Sequence, residues 1–232
     1  MEQPEAVSGS PPVHQVHGVA GRTTQAGGLF LSQDSPPTKS QLRRHMRQRR
    51  HALSPQDLRQ AALALSGQIA RLRPFHRARH IGVYWPMHGE ISPLPLLQHP
   101  LAIHKHFYLP ILVGRFARSL RFAPFNPRTP MRNNRFRIPE PKVPRHSQCS
   151  VRELDLLILP LVAFDAEGYR LGMGGGFYDR SLAHLPHRRH WRRPRLIGVG
   201  HAFQEVPVLP REPWDIPLAM VCTDKACRKI GS

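Results

Sequence analysis

From residue 39 to the end of the chain, short apolar runs alternate with stretches in which apolar side chains recur at helical spacing. The clearest helix begins after residue 53. Ser54 suits an N-cap, Pro55 suits the first helical position, and Leu58, Ala61, Ala62, Leu65, Ile69 and Leu72 form one apolar stripe. Strands are predicted at 80–85 (HIGVYW), 105–112 (KHFYLPIL), 119–123 (SLRFA), 155–160 (DLLILP), 196–200 (LIGVG) and 218–222 (LAMVC). Residues 86–89 read as a turn, 90–94 as the opening of a short helix, and 177–185 as helical. Residues 124–144 read as one long irregular stretch, a length that in a compact domain tends to be functional or mobile. Helices alternating with short buried strands predict a single α/β domain with a largely parallel sheet. Its ligands belong at the carboxyl ends of the strands. Glu90, the stretch 170–180 and the region after Gly200 all follow strand ends, and Asp215 lies in the loop before the last strand.

Composition sets the boundaries. Residues 1–36 are rich in Gly, Pro, Ser and Gln and cannot bury enough surface to offset their ordering entropy. They read as a disordered extension, leaving 37–232 as the domain. That extension lacks a basic start followed by an apolar core, so no secretory signal is expected. No apolar run approaches the roughly 18 residues of a membrane span. The three cysteines, Cys149, Cys222 and Cys227, fit no C-x-x-C pattern, and an odd count argues against a disulfide framework. Free thiols and a cytoplasmic location are the expectation. The formal net charge is +19, which points to anionic partners without choosing between nucleic acid and small phosphorylated or carboxylated ligands. Two basic clusters stand out. In residues 39–52, Lys39 and Arg43 share a helix face continued by Arg47 and Arg50, while the cluster 187–195 (HRRHWRRPR) suits a solvated surface connection.

The most distinctive stretch is RLGMGGGFYDR, residues 170–180. A strand, a glycine turn and a helix start can present backbone N–H groups to a phosphate, and glycine lets the backbone approach the anion. The stretch matches neither G-x-x-x-x-G-K-[ST] nor G-x-G-x-x-G. Glycine content alone serves equally for a tight connection; the flanking Arg170, Arg180 and Asp179 favour a phosphate site.

The ordered set of motifs resembles the 5-formyltetrahydrofolate cyclo-ligase family, also called methenyltetrahydrofolate synthetase, from about residue 39 to 223. The motifs are Lys39 with Arg43, the Pro86-Met87 turn with Glu90, FYLP at 107–110, NRFRIPEP at 134–141, the run LDLLILPLVAFDAEGYRLGMGGGFYDR, and EPWDIPLAMVCT at 212–223. The resemblance implies an open-sheet, Rossmann-like fold of the NagB/RpiA/CoA-transferase kind. It implies ATP-dependent cyclisation of 5-formyltetrahydrofolate to 5,10-methenyltetrahydrofolate, with magnesium required, small-molecule substrates, and nucleic acid not expected as a partner. The γ-phosphoryl group would pass to the formyl oxygen, N10 would attack the activated carbon and phosphate would leave, with no side-chain nucleophile.

Under that resemblance, Lys39 and Arg43 match ATP contacts, as do Arg170, Leu171, Gly172, Met173, Gly174, Gly175, Gly176, Phe177 and Tyr178 of the phosphate loop. Asp179 and Asp215 match the magnesium ligands. Glu90 matches the folate-contacting glutamate and Trp85 a neighbouring pocket position. Tyr108 and Phe177 are lesser pocket candidates, with core packing favoured for Tyr108. Three positions depart from the family pattern. Gly175 stands where a cation is frequent, with Arg180 or Arg170 as compensation; Phe177 stands where tyrosine is commoner; and Arg137 replaces a frequent glycine, so a positive φ there would strain the backbone.

Overall fold

A computed structural model describes residues 37–114, 119–183, 194–212, 218 and 220–230. The predicted N-terminal extension, most of the 187–195 cluster and Asp215 lie outside the described residues. Residues 37–232 cluster as one unit. In chain order the elements are α1 (Lys39–His51), α2 (Pro55–Ala70), α3 (Arg73–Arg77), β1 (His80–Gly82), β2 (His106–Leu112), β3 (Leu120–Phe125), β4 (Met131–Asn133) and β5 (Pro139–Pro141). They continue with β6 (Leu156–Pro160), β7 (Ala163–Phe164), β8 (Arg170–Leu171), α4 (Phe177–Leu182), β9 (Arg195–Val199), β10 (Met220–Cys222) and β11 (Cys227–Lys229).

The helix starts follow local chemistry. Ser54 caps α2 as expected, its hydroxyl accepting from the Asp57 N–H at 3.1 Å with Pro55 at the first position. Thr38 closes a second capping box with Gln41 ahead of α1. The main sheet runs β11-β10-β9-β6-β1-β2-β3. Strands β10, β9, β6, β1 and β2 pair in parallel, and β3 and β11 are antiparallel at the two edges. Alternation along β6 covers both faces, as a parallel sheet requires. Leu156 and Ile158 join the core under α2 and α3 with Leu65, Ile69 and Phe75, whereas Leu157 and Leu159 face the opposite core with Phe122, Leu182 and Val221. A third cluster docks Leu42 and Met46 of α1 on Val162, Ala163 and Leu171 of the β7–β8 hairpin. No described helix is long and apolar enough to cross a membrane.

Three expectations need correction. Residues 90–94 open no helix: a 3-10 turn begins at Leu94. Pro93 and Pro95 restrict the residues before them and remove N–H donors, so the chain stays irregular through Glu90. The stretch 124–144 contains an antiparallel hairpin, β4 with β5. Asn134 organises its turn: Oδ1 accepts from the Phe136 and Ile138 N–H groups and Nδ2 donates to the buried Glu140. Arg137 in that turn has φ 59°, the strained value expected had glycine been required. Finally, Cys222 and Cys227 form a disulfide. They stand directly opposite each other on β10 and β11 across the turn at 223–226, a pairing that a cysteine count cannot reveal. Cys149 is the free cysteine among the described residues.

Candidate active site

The glycine loop leaves the β7–β8 hairpin, which follows the carboxyl end of β6, and leads into α4. Gly174 (φ 95°) and Gly176 (φ 63°) hold the left-handed backbone that a side chain would resist, and Gly176 is the N-cap of α4. Docking of α1 on the hairpin brings Arg43 onto this loop. Its Nε–H donates to the Gly172 carbonyl at 2.9 Å, and a Cβ on Gly174 would stand 3.5 Å from its guanidinium carbon. Lys39, one turn earlier, meets Glu212 at 3.2 Å. Arg170 pairs with the half-exposed Asp179 at 2.5 Å. Arg180 donates to the Gly175 carbonyl at 2.7 Å and lies over the Phe177 ring, so a guanidinium does stand beside the position that lacks its own cation. Phe177 also meets Phe136 edge-on, which joins the tip of the β4–β5 hairpin to the loop.

A second group of side chains gathers after β1. Glu90 is nearly buried, its side chain 10% exposed. Oε2 accepts from the Met87 N–H at 3.0 Å and Oε1 lies 3.5 Å from Arg50 Nη1. Burial pushes the Glu90 carboxyl above the usual carboxylate range, while the Met87 N–H and Arg50 pull it back. No helix begins at Glu90, so no helix dipole acts on its carboxylate. Trp85 is half-buried and packs edge-on against Phe125. Tyr108 takes the packing role favoured for it, lying against the core with its hydroxyl 2.9 Å from His80 Nδ1. A cavity of about 460 Å³ between α2 and residues 86–95 is lined by Leu58, Ala62, Met87 and Glu90, among others.

Tyr178, the second residue of α4, lies within electrostatic reach of Glu90. Its hydroxyl is held well above the usual phenol range, first by burial and then by the charge of Glu90. Two residues escaped the sequence reading. Arg50 continues a basic helix face, yet its side chain is 1% exposed. His201, just past the end of β9, is buried; its Nε2–H donates to the Gly89 carbonyl at 3.0 Å and its ring stacks on Phe203. Burial lowers the His201 pKa. Position after a strand end was the one signal for His201, and nothing local marks Arg50 as the inward member of its run. Together the loop offers backbone and guanidinium donors to an anion, and the Glu90 pocket offers a desolvated carboxylate to a ligand with N–H donors.

The model of the 5-formyltetrahydrofolate cyclo-ligase family matches residues 36–224. The chain is 39% identical over 182 residues to the 5-formyltetrahydrofolate cyclo-ligase of Haemophilus influenzae, covering 78% of this chain and 94% of the relative. It is 38% identical over 178 residues to that of Escherichia coli K12, covering 77% of this chain and 96% of the relative. The solved structure of Aquifex aeolicus 5,10-methenyltetrahydrofolate synthetase superposes with a TM-score of 0.70 at 30% identity, covering 84% of this chain and 93% of that one.

Proposed function

This chain belongs to the 5-formyltetrahydrofolate cyclo-ligase family, and from that premise we propose how its residues divide the work. It is an enzyme that converts 5-formyltetrahydrofolate to 5,10-methenyltetrahydrofolate at the expense of ATP. The observation that carries the division is α1, which lays Arg43 on the anion-binding loop at one end and Arg50 on the buried Glu90 carboxylate at the other. The glycine loop, residues 170–178, with Lys39 and Arg43, takes the ATP phosphates. Glu90 accepts the N–H donors of the reduced pterin, and Trp85 packs against the ring. The mostly parallel sheet with ligand groups at its carboxyl edge supports the open Rossmann-like fold of the NagB/RpiA/CoA-transferase kind.

The protein supplies position and charge rather than a nucleophile. With the formyl oxygen aligned to the γ-phosphorus, the oxygen attacks, the β,γ-bridging bond breaks and ADP leaves. N10 then attacks the formyl carbon and gives up its proton, which leaves with the phosphate as the carbon's bond to the phosphorylated oxygen breaks. Arg43 and the loop N–H groups stabilise charge on the transferring phosphoryl. Asp179 fits a magnesium ion that travels with the nucleotide. It is half-exposed at the mouth of the loop, and one or two carboxylates plus substrate phosphates are a usual magnesium set. Asp215 is proposed as the other ligand. Bound there, the ion would neutralise phosphate charge.

An absorbance assay tests the reaction, with 5-formyltetrahydrofolate, magnesium and ATP supplied and ATP or magnesium omitted as controls. Methenyl product formed only in the complete mixture is expected. Product without ATP, or none in the complete mixture, would overturn the reading.

A further inference from the structure

Arg50 lies in the last turn of α1, within a run of solvated cations, yet it points inward. Its backbone is pressed against the turn that carries Glu90. A Cβ on Gly89, where φ is 74°, would stand 2.7 Å from the Arg50 carbonyl oxygen. Its Nη1 reaches Glu90, while its buried Nε has no hydrogen-bond partner among the described residues. A buried guanidinium with an unanswered N–H is costly, and apolar replacements of buried ion pairs are often neutral or stabilising. Stability is therefore a poor reason for the pair. Its geometry addresses a single group, the Glu90 carboxylate.

We propose that Arg50 is a positioning residue for folate binding: with the Met87 N–H on one carboxylate oxygen and Arg50 on the other, Glu90 is fixed in the plane that receives the pterin N–H edge. The inference rests on the folate role of Glu90 given above. Two anchors set the orientation of a carboxylate where one would leave it free to turn, and lone pairs remain for the ligand. Arg50 also opposes the burial that favours protonated Glu90.

Other titratable groups surround this pocket, among them the exposed Arg59 of α2, which lines the cavity. Tyr84, after β1, donates its hydroxyl to the Ile91 carbonyl; Tyr178 belongs to α4; burial keeps both neutral. His201, after β9, holds Gly89 and has a lowered pKa, so it is uncharged at neutral pH. Arg47 acts on Arg50 from the same helix, and His88 on the turn is exposed.

Folate KM, ATP KM and pH profiles are measured for wild type, Glu90→Gln, Arg50→Met, Arg50→Lys, and the Met and Lys substitutions each combined with Glu90→Gln. Glu90→Gln raises the folate KM about tenfold or more, the worth of a charged hydrogen bond. Arg50→Met does the same to within a few-fold, changes the ATP KM less than about twofold, and adds nothing in the Glu90→Gln background. Without Arg50, Glu90 protonates at higher pH, so the acid limb of kcat/KM for folate moves up by about one pH unit. Glu90→Gln removes that limb, which separates it from titration of His201. Arg50→Lys, a point charge without the planar fork, raises the folate KM about threefold. An unchanged folate KM and acid limb in Arg50→Met, alongside a damaged Glu90→Gln, would overturn the inference and leave the folate role of Glu90 standing. Equal losses in both backgrounds would show Arg50 acting on its own, also overturning it. A normal folate KM in Glu90→Gln would overturn the folate role itself and the inference with it. Should Arg50→Met fail to fold, Arg50→Lys decides: a threefold rise that vanishes in the Glu90→Gln background supports the inference, and a wild-type KM overturns it.

Discussion

Asp179 stands half in solvent with Arg170 on one of its oxygens, so its loss should touch ligand use more than folding. Asp179→Asn is expected to raise the ATP KM about tenfold and to require more magnesium, while the melting temperature shifts by only a few degrees, since half-exposed ion pairs contribute little. ATP titrations at several magnesium concentrations check this, and an unaltered ATP KM would remove the metal assignment. Arg137 presents the opposite case, a residue whose backbone rather than its charge is the issue. With φ 59° and an exposed side chain, it adopts a conformation that disfavours Cβ. Arg137→Gly should stabilise the fold by roughly 0.5–1 kcal/mol, left-handed strain relieved against the entropy glycine brings. Urea unfolding midpoints give the answer.

At the scale of elements, the turn at 86–90 matters because it carries Glu90 while lying against the end of α1. Glycine is required where the two backbones meet, at Gly89. Gly89→Ala should cost about 2 kcal/mol of stability and raise the folate KM about tenfold, because the carboxylate moves with its turn. The mid-helix Gly67 of α2 supplies the contrast. An added Cβ there meets nothing within 4 Å, so Gly67→Ala should stabilise by up to about 1 kcal/mol through helix propensity and leave both KM values alone. Thermal unfolding with parallel kinetics separates the two glycines.

Across the whole molecule, the sheet ends in a hairpin closed by Cys222–Cys227. Thiol titration of the unfolded, unreduced chain should find one thiol, and three after reduction. In the native protein Cys149 should react slowly, because burial pushes its thiol to about 11 and little thiolate exists near neutrality. Reduction should lower stability by about 2 kcal/mol, the chain-entropy value for so short a loop. The excess positive charge also reads differently in the fold. Arg50 is buried against Glu90 and so is withdrawn from any polyanion, whereas Arg49, Arg180 and Arg228 bond protein oxygens while staying exposed.

The sequence by itself determined what local periodicity and turn chemistry can encode: the Ser54 cap and apolar stripe of α2, the buried run of β6, and the glycine loop between a strand and α4. All six predicted strands recur near their places, because each signal lies within a few neighbours. The motif order also carried Lys39, Arg43, Glu90 and residues 170–179 to the page. Only the tertiary structure decided which members of a basic run turn inward, what surrounds Glu90 and which cysteines meet. Arg50 pairs with a residue 40 positions away and His201 holds a carbonyl 112 positions away. Burial of a charge depends on neighbours brought from separate strand ends, and no local pattern records them.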